Sequence, residues 1–305
     1  MDALRLDGVV KRFGDFTAVD DLGFAVAPGE VFGFLGGNGA GKTTSLRMVL
    51  DILRPDAGTI SVLGRAPGRA NSAGLGFLPE ERGLYRAMTA IDTIVYFGRL
   101  KGMTAADARR AGTVLLDRFG LAAFARTTVD KLSKGMAQKV QLATAVVNAP
   151  RLLILDEPFS GLDPVNQGLL EEEIVRSARD GAAVVFSTHV MQHAERLCDR
   201  LLLLARGTKL FEGTQEAARA TLPVSLTLIA RHSPAELDGV ASAIALRTVD
   251  GEWTEWDVRL DPGGSPEALL ERCTAQGFAL RRFEQHRPSL HDVFLHIVGG
   301  AEARP

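Results

Sequence analysis

Between an apolar run, Val31-Phe32-Gly33-Phe34-Leu35, and a segment of helical character, Ser45-Leu46-Arg47-Met48-Val49-Leu50, the chain reads Gly36-Gly37-Asn38-Gly39-Ala40-Gly41-Lys42-Thr43. The pattern G-x-x-x-x-G-K-[ST] performs its chemistry only as a strand–loop–helix turn, and these flanks supply that context. Glycines let successive backbone N–H groups curl around an anion, and the helix N-terminus adds the positive end of its dipole. Lys42 is then placed to reach β- and γ-phosphates, and the Thr43 hydroxyl to ligate Mg²⁺. The chain is expected to bind a nucleoside triphosphate within an α/β architecture.

The elements around the loop fit that architecture. Residues 4–10 and 22–27 alternate like half-buried strands, and Thr59 to Gly64 reads as another short strand. Helices are expected over 89–101, over 104–119 behind the capping pair Thr104 and Asp107, and over about 134–148. Leu152-Leu153-Ile154-Leu155 and Ala183-Val184-Val185-Phe186 are continuous apolar runs, as parallel strands covered on both faces require, with a helix over 165–179 between them. A strand at 200–205 and a hairpin-like tail from Gly207 to Gly213 complete the unit.

Beyond Thr214 the pattern changes to strand (224–230), helix (from Ser233-Pro234-Ala235-Glu236), strands (243–249 and 253–260), helix (from Ser265-Pro266), strand (279–285) and a last helix over 289–297. This β-α-β-β-α-β order with one appended helix is that of a ferredoxin-like α+β unit. A chain of 305 residues is long for one domain, so two are expected, joined near residue 216. Trp253, Trp256, Phe278 and Phe283 are read as core of the second.

Composition narrows the class. A net charge of −2 gives no sign of nucleic-acid binding, and the 28 arginines against 7 lysines read as genome bias rather than an anionic-partner face. Cys198 and Cys273 lack metal-ligand spacing and read as buried free thiols of a reducing compartment. The opening Met1-Asp2-Ala3-Leu4-Arg5-Leu6-Asp7 is polar and alternating, so a cleaved leader is not expected. With no apolar run near 18 residues, any membrane role is expected to need a partner.

Three further segments carry chemistry. Asp156-Glu157-Pro158 sets an acidic pair at the carboxyl end of an apolar strand, where Asp156 suits Mg²⁺ ligation and Glu157 suits polarising a water against the γ-phosphate. Ser187-Thr188-His189 ends another such strand, and a histidine there can hydrogen-bond a γ-phosphate oxygen. Leu132-Ser133-Lys134-Gly135-Met136 opens a helix, so Ser133 and Gly135 offer a second anion site.

Taken in order and spacing, residues 1–216 resemble the nucleotide-binding subunit of an ATP-binding-cassette (ABC) transporter. Phe13 in Lys11-Arg12-Phe13-Gly14 matches the aromatic that stacks on adenine, and Leu78-Pro79-Glu80 the segment that touches Mg²⁺ and the membrane partner. Leu132 to Met136 match the family signature, Leu155 to Pro158 the second nucleotide motif, Ser160-Gly161-Leu162-Asp163 the dimer-contact loop and His189 the switch histidine. The resemblance implies a P-loop NTPase fold with a RecA-like core, a β-subdomain and a helical subdomain, followed by an accessory α+β domain over 217–305. It implies ATP held by Phe13, Gly36, Gly37, Asn38, Gly39, Ala40, Gly41, Lys42, Thr43, Thr44, Ser133, Gly135 and Asp163, with Mg²⁺ at Thr43, Glu80 and Asp156. Glu157 and His189 are the implied catalytic pair.

Two motifs depart from the pattern, at three positions. Lys134 and Met136 stand where the signature usually has a glycine and a glutamine, a variant resembling export-type subunits, and Glu80 replaces a glutamine while keeping an oxygen for Mg²⁺. The ending Arg287-Pro288-Ser289-Leu290-His291-Asp292-Val293-Phe294 resembles the accessory domain of sodium- and drug-export subunits. The family implies a dimer, homomeric or with a paired ATP-binding subunit, closing head to tail on two ATP. Residues 83–131 would pass that motion to a separate transmembrane permease. The place implied is cytoplasmic, peripheral on the inner face of the cell membrane, with ATP hydrolysis driving export of a cargo. The alternative is an ABC-type ATPase without a permease, in DNA repair, translation or iron–sulfur assembly. Against it, only 91 residues separate Lys42 from Ser133, without heptads for a long coiled coil, and one cassette is present.

Overall fold

The structure, a computed structural model, describes residues 1–81 and 83–302; the last three residues of the expected second domain lie outside them. The chain divides into two compact units, Met1–Gln215 and Glu216–Gly299.

The first unit opens with β1 (Leu4–Phe13) and β2 (Phe16–Val26), then β3 (Val31–Leu35), α1 (Lys42–Val49), β4 (Ala57–Val62) and β5 (Leu75–Leu78). Helices α2 (Ala90–Leu100), α3 (Ala105–Arg118) and α4 (Lys134–Val146) lead to β6 (Leu152–Asp156), α5 (Pro164–Arg179), β7 (Ala183–Thr188) and α6 (Met191–Leu197). The hairpin β8 (Arg200–Ala205) and β9 (Thr208–Thr214) ends the first unit, and the short α7 (Gln215–Arg219) spans the boundary between the two. Arg206 and Gly207 both take positive φ between β8 and β9, the two-residue turn whose twist matches a hairpin.

Two sheets form. Strands β2-β1-β4 make an antiparallel sheet, and β5-β6-β7-β3-β8-β9 a sheet that is parallel except at its β9 edge. Every residue of β3, β6 and β7 is buried, which accounts for their unbroken apolar runs. Helix α1 presents Leu46, Met48 and Val49 to a core shared by both sheets, where Phe24 of β2 stacks on Phe32 of β3 with centroids 5.2 Å apart. The phosphate loop is thus anchored on rigid elements at both ends. Helices α2, α3 and α4 pack on one another, and Lys101 closes the end of α4 by donating to the carbonyls of Thr144 and Ala145. Thr104 caps α3 by accepting from the Asp107 N–H, as its spacing predicts.

The second unit holds β10 (Ser225–Ala230), β11 (Val240–Asp250), β12 (Trp253–Leu260), α8 (Pro266–Ala275), β13 (Leu280–His286) and α9 (Leu290–Glu302). Its antiparallel sheet runs β11-β12-β10-β13, and α8 buries Leu269 and Cys273 with Leu226, Leu228, Val258 and Leu260. The helix expected from Ser233 is instead a three-residue 3₁₀ turn, Pro234–Glu236. Gly239, at φ 89°, turns the chain directly into β11 and leaves no length for a helix. Trp256, Phe278 and Phe283 pack on the core as expected, but Trp253 does not. Three residues before Trp256 on one strand, it faces the other side of the sheet, where the Arg231 and Arg281 guanidinium groups flank its ring. Cys198 and Cys273 are both buried and unbridged. Among the described residues no helix is long and apolar enough to cross a membrane.

Candidate nucleotide and catalytic site

Four parallel strands end on one side of the large sheet, and each hands over one part of the site. β3 leads into the loop 36–41, β5 into Glu80, β6 ends at Asp156 before Glu157, and β7 ends at Thr188 before His189. The carboxyl ends of such strands are where α/β sheets bind ligands. In the loop, Gly39 and Gly41 take φ of 76° and 104°, and a Cβ at Gly41 would lie 2.5 Å from the Ala18 carbonyl oxygen. Glycine is therefore required there by both conformation and space. The Lys42 side chain, 6% exposed, folds back to donate to the carbonyls of Gly36 at 2.8 Å and Gly37 at 3.2 Å.

The acidic pair divides into two environments. Asp156 is buried and accepts from the Ser187 hydroxyl at 2.5 Å and from the Thr43 hydroxyl at 3.4 Å. Glu157 stands between two cationic or proton-bearing groups, with its Oε1 3.3 Å from the Lys42 ammonium and its Oε2 2.9 Å from His189 Nδ1. A carboxylate only accepts, so that imidazole nitrogen carries the proton. Glu157 Oε1 is buried and makes no hydrogen bond among the described residues, its nearest charged neighbour being the Lys42 ammonium. Its backbone adopts φ 44°, a left-handed conformation that surrounding contacts must hold, and its N–H donates to the Ser187 hydroxyl at 2.9 Å.

These groups border a cavity of about 480 Å³ lined by Phe13, residues 38–44, Glu80, Glu157 and His189. Gly36 and Gly37 join it through Lys42, and Asp156 through Thr43. Ser133, Gly135 and Asp163 are not among its lining. Ser133 caps α4 by accepting from the Met136 N–H at 3.3 Å, Gly135 lies against the Asn166 side chain, and Asp163 caps α5. The Asn166 N–H holds the Asp163 carboxyl below the usual carboxylate range. Lys134 lines a neighbouring cavity of about 350 Å³ with Glu80, Glu157 and Gly161.

The residues present fit a triphosphate with Mg²⁺. Thr43 and Asp156 bring a hydroxyl and a carboxylate oxygen together at 3.4 Å, a hard-oxygen pair. Mg²⁺ is commonly held this way, by one or two protein oxygens with phosphate and water completing its shell. Among the described residues no group of three or more His, Cys, Asp or Glu forms a cage of its own.

Some participants escaped the sequence. Phe16, 62% exposed, lines the cavity beside Phe13, 48% exposed, and shares its turn between β1 and β2. An aromatic three residues after Phe13 is the signal that was available. Ser187 is the second; it lies directly opposite Asp156 in the β6–β7 register, which no sequence spacing shows. Gln138 and Gln141 of α4 donate to the carbonyls of Pro158 and Glu81, tying the signature helix to the loops of Glu157 and Glu80.

Comparison with known proteins adds an independent line. The family described as ABC transporter matches residues 19–160, and the one described as ATP-binding protein DrrA1-3-like, C-terminal domain, matches residues 224–298. The uncharacterized ABC transporter ATP-binding protein YhaQ of Bacillus subtilis (strain 168) is 40% identical over 303 residues, 97% of this chain and 98% of that one. The Nod factor export ATP-binding protein I of Paraburkholderia xenovorans (strain LB400) is 39% identical over 303 residues, 97% of each. Among solved structures, one described as the ATP binding subunit of an ABC transporter superposes with a TM-score of 0.68 at 30% identity, covering 72% of this chain and 92% of its own.

Proposed function

The chain belongs to the ATP-binding subunits of ABC transporters, ATPases that power a separate membrane-spanning permease, and from that premise we propose that it drives an exporter. The export-named relative, at 39% identity over nearly the whole of both chains, supports the direction. The reported relatives are transporter subunits, which favours this reading over an ATPase working without a permease.

The observation that carries the chemistry is the placement of Glu157 between Lys42 and His189. In the proposed mechanism Phe13 stacks on the base, the loop N–H groups and Lys42 take the phosphates, and Thr43, Asp156 and Glu80 hold Mg²⁺. When bound, Mg²⁺ neutralises charge on the phosphate oxygens. Glu157 polarises the attacking water, and His189 holds the Glu157 carboxylate and contacts the γ-phosphate. Ser133, Gly135 and Asp163 lie off this cavity in one subunit, which supports a role toward the nucleotide of a second subunit in a head-to-tail dimer. ATP then favours the closed dimer because it contacts both halves. The subunit works at the inner face of a cell membrane, held there by its permease.

Glu157→Gln tests this reading. The variant is expected to bind ATP with turnover at least about 1,000-fold below wild type, since it removes the group acting on the water. Retained hydrolysis would remove Glu157 as the base. Affinity purification of the same variant with ATP from detergent-solubilised native membranes is expected to recover a polytopic membrane protein in fixed ratio. Recovery with soluble repair or ribosomal partners instead would overturn the transport reading.

A further inference from the structure

Phe159 lies two residues past Glu157, and its ring is boxed. Phe186 of β7 meets it edge-on, centroids 5.9 Å apart at 80°, and His193 of α6 stacks on it face to face at 3.9 Å and 9°. His193 is buried, and α6 also follows directly from the His189 segment. The two arms of the Glu157–His189 pair are therefore joined twice, once by their own hydrogen bond and once by the Phe159–His193 stack. Glu157 needs such bracing, because its φ of 44° is a conformation that an unsupported glutamate leaves. The Ser187 hydroxyl holds it from one side at the Glu157 N–H. The aromatic box holds the same loop from the other.

We propose that His193 is a positioning residue for ATP hydrolysis, its neutral imidazole clamping Phe159 so that Glu157 stays aimed at the phosphate cavity. The proposal rests on the reading of Glu157 as the base. The charge state follows from the neighbours. Arg196, on the same helix, donates to His193 Nδ1 at 3.0 Å, so that nitrogen accepts and the proton sits on Nε2. A second proton would cost that bond and set imidazolium against guanidinium. Glu171 of α5 faces the same Nδ1 from 3.7 Å, beyond hydrogen-bond range, and is also held by Arg196; Glu157 acts on the ring as well. Burial, then Arg196, pulls the imidazole below its ordinary range, with Glu171 and Glu157 opposing. Protonation is thus predicted to loosen the stack and release the Glu157 loop. Acid then slows turnover through a group that touches neither nucleotide nor water.

The test uses the full chain and steady-state kinetics with MgATP between about pH 5.5 and 8.5, comparing wild type, His193→Ala and His193→Phe. His193→Ala empties one side of the box and is expected to lower kcat about tenfold while KM moves less than about twofold, as misplacing a reacting group does. His193→Phe keeps a stacking ring that cannot titrate, so its acid limb is expected about half a pH unit or more below that of wild type. Coincident acid limbs for wild type and His193→Phe would overturn the proposal, as would an unchanged kcat in His193→Ala. If His193→Ala does not fold, the His193→Phe profile decides alone. Melting temperature against pH gives a readout independent of turnover. The unfolded chain binds the extra proton more readily, so wild type is expected to lose stability relative to His193→Phe as pH falls below about 6.5. Parallel curves would count against a buried, acid-sensitive His193. Glu157→Gln in the same assay separates the two readings, since turnover surviving there sinks the assignment of Glu157 itself.

Discussion

Ser187→Ala is a small change with a large expected cost. The hydroxyl is fully buried and makes two bonds with different partners, donating to Asp156 Oδ1 at 2.5 Å and receiving the Glu157 N–H at 2.9 Å. Losing a hydrogen bond to a charged acceptor costs about 1.5–3 kcal/mol, and leaving a buried N–H without a partner about 1–3 kcal/mol. One oxygen atom leaves too little space for water to replace both, so a total of about 2.5–6 kcal/mol is expected. In a unit of this size that corresponds to a fall in Tm of roughly 5–24 °C. Differential scanning calorimetry with and without MgATP identifies the transition to read, because nucleotide raises only the unit that binds it. The two halves separate in an Asp156→Ala background, where Ser187→Ala should cost just the orphaned N–H, about 1–3 kcal/mol. A loss below about 1 kcal/mol in the wild-type background, or an equal loss in both, would refute the claim that Ser187 couples the acidic pair.

Two further substitutions probe the loop and its strand. Lys42→Ala removes the ammonium beside Gly36, Gly37 and Glu157 and is expected to weaken ATP binding about 10–100-fold by isothermal titration calorimetry, an unchanged Kd counting against the phosphate assignment. Gly33→Ala would press a methyl group into the Cys198 sulfur, costing about 1–3 kcal/mol by urea unfolding. Adding Cys198→Ala makes room, so the double variant is expected to be about 1 kcal/mol more stable than the two losses summed, and strict additivity would show that the contact does not limit packing there.

What could be read from the chain follows from how locally each feature is determined. The phosphate loop and the acidic pair are short segments read from their own residue types and flanking strands, whereas His189 was read as the switch histidine through the family resemblance. The buried strands were legible because burial on both faces leaves unbroken apolar runs. The helix expected after Ser233 failed for a local reason as well, since a capping residue starts a turn but the glycine at 239 ends it within a few residues. Trp253 failed for a register reason, because an odd offset from Trp256 turns it to the outer face whatever its hydrophobicity. Ser187 belongs to the same register-dependent class, whereas His193 is placed by the packing of α6 on Phe159. Asp156 faces Ser187 only because β6 and β7 pair in parallel with Leu152 opposite Ala183. One residue of slip would exchange Ser187 for its neighbour Phe186 or Thr188 at the same place. Neither neighbour turns the hydroxyl that Asp156 and the Glu157 N–H need into the same position. The motif residues specify what the site can do, and the sheet register selects the residues that keep Glu157 where it can do it.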